Sequence, residues 1–491
     1  MEEKKVVRII GSGIAGIAAS IRLAKKGFEV HVHEGNEYPG GKLSQIKLGE
    51  YRFDAGPSLF TLPQNVDELF ELCGENPREY FNYIKKDESC RYFWEDGKSL
   101  TAYSDIDKFT REAETNLGES GEAIRSHIKL AKKQYESTSE FFLERSLHRL
   151  KTYLRFSIFR TILALPSLKL FSSMHSVHSR RFRTDHMIQI FDRYATFNGS
   201  SPYRAPGTLC MIPHLEFGIG TFLPEKGMID ITNSLVNLAI RQGVNFHFNE
   251  RVLKIISDRK EAQGIIVKRG NKELVFSSDI VVSNMDITPT YQKLLPHLKE
   301  PVKILTQERS SSALIFYWGI KSNFPELDLH NILFSKDYKE EFDSLFKSKN
   351  LSSDPTVYIN ITSKNIIQDA PKNSENWFVM INVPSDCGQD WNSIRLRAKN
   401  LIFDKIKRVL GHDISSLIEC EEYLDPLKIQ SKTSSEKGSL YGSSSNSAFS
   451  AFLRHPNQRA LRNLYFCGGS AHPGGGIPLC LLSAKIVSDA I

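Results

Sequence analysis

The 491-residue chain has few features of a disulfide or metal protein. It contains seven cysteines, an odd number, and none of them forms a CxxC pair. Disulfide frameworks and structural zinc sites both depend on paired cysteines at regular spacings. We therefore expect reduced thiols in a cytoplasmic protein, and no metal site is predicted. The cysteines are Cys73, Cys90, Cys210, Cys387, Cys420, Cys467 and Cys480.

Long apolar runs and basic tracts are missing as well. No stretch offers 18 consecutive uncharged apolar residues, so nothing in the sequence predicts a membrane-spanning helix. The net charge of +7 is small for this length, and no Lys/Arg tract resembles a nucleic-acid-binding arm. Residues 1–5 lead directly into a predicted strand, so no signal peptide is expected. These absences indicate an ordinary globular protein of about two to three domains with no nucleic-acid partner.

A glycine-rich turn near the start of the chain is the strongest motif. A predicted strand at residues 6–10 leads into it, and a predicted helix at residues 17–26 follows it. In such a turn the first glycine permits a tight bend, the second lets backbone approach a pyrophosphate, and the third lets helix pack on strand. The helix N-terminus then faces the phosphates with partial positive charge. The turn contains Gly11, Gly13, Ala15 and Gly16.

An acidic residue follows the second predicted strand of this unit. Glu34 lies 18 residues beyond Gly16, where a carboxylate can accept hydrogen bonds from an adenosine ribose. An acid rather than an arginine argues against the 2′-phosphate of NADP. The pattern does not distinguish NAD from FAD. It occurs once, because the later Gly218–Gly220 stretch lacks both the third glycine and the preceding strand.

Two further loops have the composition of cofactor contacts. Gly41 and Lys42, in a Pro-Gly-Gly-Lys loop, can place backbone N–H groups and one cation near a phosphate or a flavin edge. A plain glycine turn is the alternative. A strand then runs into a second turn, residues 53–59 (FDAGPSL), in which Asp54 reads as a simple turn acid.

The order of these motifs resembles the flavin amine oxidase superfamily. A glycine-rich segment at residues 463–478 (NLYFCGGSAHPGGGIP) is similar to the signature of bacterial phytoene-desaturase-type carotenoid desaturases. Monoamine oxidases place a carboxylate directly after the first glycine of that segment, where this chain has Gly469. The turn at residues 56–63 (GPSLFTLP) looks most like the 1-hydroxycarotenoid 3,4-desaturase branch. The resemblance covers the whole chain.

The resemblance implies FAD-dependent desaturation of a C40 carotenoid, a long apolar polyene. It implies an α/β fold, with a Rossmann-like FAD-binding domain, an inserted α+β substrate domain and a helical subdomain. Pro478 suits the first turn of a helix predicted at residues 479–490, whose positive end would face the flavin ring. The implied FAD contacts are Gly11, Gly13, Ala15, Gly16, Glu34, Gly41, Lys42, Gly56, Pro57, Ser58, Leu59, Val252, Asn284, Gly469, Ser470, Gly476, Ile477 and Pro478.

The catalytic residues are not identified by the sequence. His472 is a candidate base, and a structural histidine beside glycines is the alternative. No Ser-His-Asp or Cys-His arrangement is evident, which suits a reaction whose chemistry belongs to the cofactor. Because only one dinucleotide fingerprint is present, we expect oxygen or a quinone to reoxidise the flavin. Aromatic residues that either wall a substrate tunnel or form ordinary core are Tyr194, Phe197 and Tyr203.

Residues 145–183 form the most unusual stretch by charge. They include nine Lys/Arg residues and no Asp or Glu. Such a basic, apolar helix could lie in a membrane interface, which predicts a cytoplasmic protein at the inner face of the membrane. A core-packed helix with a solvated basic face is the alternative. A helical stripe is formed by Leu147, Leu150, Leu154, Ile158, Ile162 and Leu165.

The predicted domains are discontinuous. Residues 1–105, 224–300 and 415–491 are assigned to the FAD-binding domain, residues 106–223 to the helical region and residues 301–414 to a substrate-binding mixed sheet. The Ser/Gly-rich stretch 431–447 is predicted to be a mobile loop. Three other functions remain open: a phytoene desaturase, a flavin amine oxidase, and a non-enzymatic prenyl-binding chaperone on the same fold.

Overall fold

The N-terminal strand lies at the centre of a five-stranded parallel sheet. The computed structural model describes residues 4–153, 165–258 and 260–491. Side chains such as Val7, Ile9 and Val282 are fully buried, as expected for parallel strands that are covered on both faces. The strands, in spatial order, are Leu464–Phe466, Ile280–Ser283, Val6–Ile10, Glu29–His33 and Asn245–His247.

Four helices build the layer next to this sheet. Helix Ile14–Lys25 begins three residues earlier than predicted, directly after the glycine turn, and packs against the C-terminal helix. An antiparallel meander of Glu250–Ser257, Ala262–Arg269 and Lys272–Ser277 completes the domain. The four helices are Ile14–Lys25, Gln64–Cys73, Ile229–Arg241 and Ile477–Ser488.

A seven-stranded mixed sheet forms the second layer. One of its faces packs on helix Trp391–Leu410 through a core that includes Trp318 and Trp377. One strand at one edge of this sheet and two strands at the other edge come from outside residues 301–414. The predicted domain boundaries at residues 105 and 415 therefore do not coincide with the limits of the sheet. The strands, in spatial order, are Ile418–Leu424, Ser312–Ile320, Glu375–Val383, Val357–Ile361, His330–Leu333, Glu88–Phe93 and Ser99–Tyr103.

Helices and short turns cover one end of the seven-stranded sheet. No helix in the described part of the chain is long and apolar enough to cross a membrane. Part of the predicted basic apolar stripe, including Leu154, Ile158 and Ile162, lies outside the described residues. The elements of this helical region are Ile106–Leu117, Gly121–Phe142, Leu150–Tyr153, Leu165–Leu168, Met174–Ser179, Asp185–Asp192, Arg193–Asn198, Gly207–Met211 and Leu215–Ile219.

Shorter elements connect these layers. Two small antiparallel pairs are formed by Gln45–Leu48 with Tyr51–Asp54 and by Tyr83–Lys85 with Phe222–Pro224. The remaining helices and helical turns are Pro77–Glu79, Ile287–Pro289, Thr290–Leu294, Val302–Leu305, Tyr338–Asp343, Ser344–Ser348, Thr362–Lys364, Ile367–Asp369, Ser415–Leu417, Pro426–Thr433, Glu436–Gly438 and Ser450–Leu453.

A partly buried arginine joins the first domain to the second sheet. Arg52 Nε donates to Asp369 Oδ1 at 2.6 Å, and Arg52 Nη1 donates to Asp54 Oδ1 at 2.9 Å. Asp54 also accepts a hydrogen bond from the backbone N of Met228 at 2.9 Å, at the start of helix Ile229–Arg241. The turn acid noted in the sequence therefore helps to fix a helix that lies 174 residues further along the chain.

Replacing Arg52 tests this connection. Arg52→Leu leaves the carboxylates of Asp54 and Asp369 buried without their cation, which costs about 3–5 kcal/mol in comparable cases. We expect the urea midpoint of unfolding to fall accordingly. Lys321→Met is the control, because its partner Glu419 is exposed and such pairs contribute about 0–1 kcal/mol. Equal midpoints for the two variants would contradict the proposed connection.

Candidate cofactor and substrate site

One large cavity lies between the two sheets. Its volume is about 770 Å³, within the usual range for ligand sites. It runs from the glycine turn after the first strand to the inner face of the second sheet. All the predicted FAD contacts except Gly16 line this cavity, whereas Gly16 lies directly behind the wall, against Gly11 and Asn284.

Glu34 closes the nucleotide end of the cavity with an ordered carboxylate. Its Oε2 accepts hydrogen bonds from the backbone N and the Oγ of Ser12, at 2.8 and 2.9 Å. Its Oε1 accepts one from the backbone N of Asn36 at 2.9 Å. The strand that contains Val252 is held alongside, because the backbone N of Glu250 donates to the Glu34 carbonyl at 2.8 Å. Glu34 lines the cavity, and its Oε1 retains acceptor capacity for a ribose hydroxyl.

The side chain of Asn284 holds the first glycine turn against the last one. Its Nδ2 donates to the carbonyl of Gly11 at 3.2 Å. A Cβ at Gly13 would lie 2.9 Å from this Nδ2, and a Cβ at Gly468 would lie 2.5 Å from the Asn284 Oδ1. These positions therefore have no room for a side chain. The segments that begin and end the predicted cofactor site meet at this one amide.

The Gly-Gly-Lys loop and the Gly-Pro-Ser turn lie together on the cavity wall. A Cβ at Gly56 would overlap the carbonyl oxygen of Lys42, so only glycine allows the two loops to touch. Lys42 Nζ donates to the carbonyl oxygens of Ser439 and Leu440, at 3.2 and 2.8 Å. Burial lowers the pKa of Lys42 to about 8, so the ammonium still predominates near neutral pH.

The C-terminal glycine segment forms the opposite wall. Gly476 has φ of +101°, and, its chain neighbours aside, no atom of the described residues lies within 4 Å of the position that its Cβ would take. A flat ring can therefore approach this backbone closely. Pro478 occupies the first turn of helix Ile477–Ser488, as predicted, and this helix end borders the cavity. The backbone N of Ile287 donates to Ser470 Oγ at 3.0 Å and anchors the segment to the first domain.

The three predicted substrate aromatics have different positions. Phe197 lines the cavity, whereas Tyr194 and Tyr203 belong to the core beside it. The predicted mobile loop is instead a part of the wall, through Leu440 and its neighbours. Wall residues that no motif indicated include Arg193, Thr196, Ala313, Ile315, Ile332, Tyr338, Thr356, Tyr358, Phe378, Met380, Leu424, Leu440, Tyr441 and Gly442.

His472 does not lie on the cavity wall. It is 1% exposed, and its Nε2 lies 2.7 Å from the carbonyl oxygen of Arg145, which accepts a hydrogen bond from it. Burial lowers the pKa of His472 to about 4, so the imidazole is neutral. A catalytic base must reach the substrate, and this histidine supports the chain behind the glycine segment instead.

A Cys-His-Asp array is present, although the sequence did not indicate one. Cys210 Sγ is 3.3 Å from His178 Nε2, and His178 Nδ1 is 2.6 Å from Asp192 Oδ1. Burial would lower the pKa of His178, but its contacts with Cys210 and Asp192 raise it to about 10. Cys210 is 0% exposed and is not among the residues that line the cavity. The array is therefore closed to substrate and stabilises the helical region.

Comparisons with known proteins agree with this site. Residues 14–315 match the family model described as flavin containing amine oxidoreductase. The chain is 52% identical over 489 residues to the 1-hydroxycarotenoid 3,4-desaturase of Flavobacterium sp. (strain P99-3), with 99% of each chain covered. It is 30% identical to the phytoene desaturase of Fusarium fujikuroi, with 99% of this chain and 89% of that protein covered.

Solved structures share the fold at low sequence identity. An oxidoreductase from Methanosarcina mazei superposes with a TM-score of 0.64 at 14% identity, with 99% of this chain and 100% of that chain covered. Cyclohexylamine oxidase from Brevibacterium oxydans gives 0.61 at 14% identity, with 99% and 98% covered. The chain belongs to the family of flavin-containing amine oxidoreductases, and its cofactor is FAD. Within that family it belongs with the carotenoid desaturases.

A substitution at Glu34 tests the nucleotide end of the site. Glu34→Gln keeps the shape but turns one acceptor oxygen into an NH₂ group facing a backbone donor. Hydrogen bonds to charged groups contribute about 1.5–3 kcal/mol, so we expect FAD affinity to fall at least about tenfold. Quenching of flavin fluorescence on titration measures this. Glu37→Gln, at a neighbouring exposed site, should leave affinity unchanged, and a normal affinity in Glu34→Gln would be contrary to our assignment.

Proposed function

We propose that this protein introduces the 3,4 double bond into a 1-hydroxycarotenoid. The continuous cavity is the observation that supports this proposal best, because it joins a dinucleotide-binding end to an apolar end. The apolar end is formed by Ile315, Ile332, Phe378 and Met380 of the second sheet, with Phe197 opposite. A desaturase needs such a slot to hold a polyene against the flavin ring. The activity of the 52% identical relative has the same requirement.

The wall residues favour positioning over acid–base catalysis. Bound FAD would supply the acceptor for the hydride that leaves one substrate carbon, and the adjacent carbon would release a proton as the double bond forms. Among the described residues, the second sheet contributes no carboxylate and no histidine to the wall. The cavity carboxylates Glu34 and Asp286 already accept hydrogen bonds from backbone N–H groups. The protein therefore acts mainly by holding two adjacent substrate carbons at the ring and excluding water.

The electron acceptor follows from the number of dinucleotide motifs. The sequence contains one GxGxxG turn and no second one for a nicotinamide cofactor. We therefore propose that oxygen or a quinone reoxidises the flavin.

Anaerobic reduction of the flavin tests the proposed reaction. We expect the FAD-loaded protein to lose its absorption near ~450 nm when a 1-hydroxylated acyclic carotene is added. An unhydroxylated acyclic carotene or phytoene should reduce it more slowly, and the reverse order would favour a phytoene desaturase. An amine that bleaches the flavin would favour an amine oxidase. Bleaching by no carotene would contradict the desaturase, and failure to bind FAD would favour a prenyl-binding chaperone.

We further propose that the protein takes its substrate from the cytoplasmic face of a membrane. Two observations support a membrane-contact surface near the basic segment 145–183. Phe449 is 62% exposed and Phe171 is 93% exposed. The short helix Ser450–Leu453 packs beside the start of the segment, since His148 Nε2 is 3.3 Å from the Phe452 carbonyl and the Phe452 ring is 5.7 Å from that of Phe142, just before the segment. Exposed aromatics beside basic residues suit an anionic lipid surface.

Liposome flotation tests the membrane contact. The triple variant Arg149→Glu, Lys151→Glu, Arg155→Glu removes three cations, each contributing about 1 kcal/mol near an anionic surface. We expect binding to vesicles that contain phosphatidylserine to fall by more than about 100-fold. The control reverses three exposed lysines of the meander, Lys260, Lys268 and Lys272, and should still float. Equal binding by the two triple variants would contradict the interfacial role of the segment.

A further inference from the structure

A buried arginine forms part of the cavity wall beyond the cofactor loops. Arg193 follows helix Asp185–Asp192 and is 7% exposed. Its Nη2 donates to the hydroxyl oxygen of Tyr92 at 3.0 Å and lies 3.3 Å from Glu216 Oε2. Glu216 also accepts a hydrogen bond from the Tyr194 hydroxyl at 2.6 Å. Burial would lower the pKa of Arg193, but the neighbouring Tyr92 and Glu216 raise it well above its usual value.

Part of this guanidinium is left without a protein partner. Within the described ranges, Arg193 Nε is buried without a hydrogen-bond partner, whereas Nη2 makes two hydrogen bonds. The charged carbon lies 4.5 Å from the centroid of the Tyr194 ring and 5.4 Å from that of the Phe197 ring. The aromatic rings therefore hold the planar group in place without satisfying its donors.

A purely structural role does not account for this arrangement. The Arg193–Glu216 pair is buried, and apolar residues of similar volume often stabilise such a position as well or better. Buried donors that lack an acceptor cost free energy, so they are rare in folded proteins. An arginine with an unpartnered donor on the wall of a ligand cavity is the arrangement expected where a ligand supplies the missing acceptor.

The position of Arg193 also agrees with the proposed reaction. The Tyr358 hydroxyl lies between the cofactor turn and the wall near Arg193, at 2.8 Å from Ser58 Oγ and 2.8 Å from His330 Nδ1. Tyr358 and Arg193 are close enough to interact electrostatically. In a 1-hydroxycarotenoid the hydroxyl carbon is only two carbons from C3. The hydroxyl must therefore lie beside the ring when the 3,4 bond reacts.

We propose that Arg193 donates a hydrogen bond to the hydroxyl oxygen of the substrate and thereby selects hydroxylated carotenoids. Tyr92, Tyr194 and Glu216 act as positioning residues that hold the guanidinium. This inference rests on the proposed desaturase function. A carotene without the hydroxyl leaves the Arg193 donors unsatisfied, and sites of this kind discriminate strongly against analogues that lack the polar group.

The test compares selectivity rather than activity alone. Flavin reduction is followed anaerobically with a 1-hydroxylated carotene and with the matched carotene lacking the hydroxyl. The variants are Arg193→Lys, which keeps a cation for Glu216, and the double variant Arg193→Met, Glu216→Gln, which removes both charges. We expect the ratio of kcat/KM for the hydroxylated over the unhydroxylated substrate to fall about 10- to 100-fold in the double variant. The ratio should fall less in Arg193→Lys.

Lys405→Met is the matched control for loss of a buried cation. Lys405 is fully buried, pairs with Asp354 at 2.7 Å and does not line the cavity, so its loss should leave the ratio unchanged. FAD content and melting temperature identify variants that fail to fold. If the wild-type flavin is reduced by the hydroxylated carotene and the ratio survives in both Arg193 variants, the inference is overturned. If neither carotene reduces the wild-type flavin, the proposed function fails first.

Discussion

Close packing around the Asn284 amide is the constraint on which the cofactor site depends. This side chain lies against Gly11, Gly13 and Gly16 on one side and against Gly468 on the other. The glycines are required because two chain ends more than 450 residues apart must approach at backbone distance. Strand Ile280–Ser283 puts Asn284 at this point, since it pairs with both the first and the last strand of the parallel sheet.

Part of the site could be predicted from the sequence, because the glycines that surround Asn284 belong to short local motifs. Glycines at fixed spacing and the acid at residue 34 are local signals, and Gly11, Gly13 and Glu34 do line the cavity. Helix Trp391–Leu410 and strand Ser312–Ile320 follow amphipathic and buried patterns, which are also local properties of the sequence. The resemblance to carotenoid desaturases then added the FAD contacts, which no periodicity could supply.

Pairing between distant strands was not predictable in the same way. Strands Glu88–Phe93 and Ile418–Leu424 join the second sheet from outside its predicted limits, because strand pairing depends on partners that are far apart in the chain. The Ser/Gly-rich stretch near Leu440 has the composition of a loop. Two of its carbonyl groups nevertheless accept hydrogen bonds from Lys42, and these bonds fix the position of the stretch. Arg193 looked like one basic residue among many, since only the tertiary structure surrounds it with Tyr92, Tyr194 and Glu216.

The two ends of the cavity differ in chemical character. Backbone groups and Glu34 form an end that suits a polar cofactor, whereas the second sheet offers a mostly apolar face on which a few polar groups can orient a substrate. The central claim is that one FAD molecule bridges the first and last glycine segments. Amide hydrogen exchange with and without FAD tests it directly. We predict slower exchange on FAD binding in both residues 11–16 and residues 468–478, and protection of the first segment alone would contradict the account.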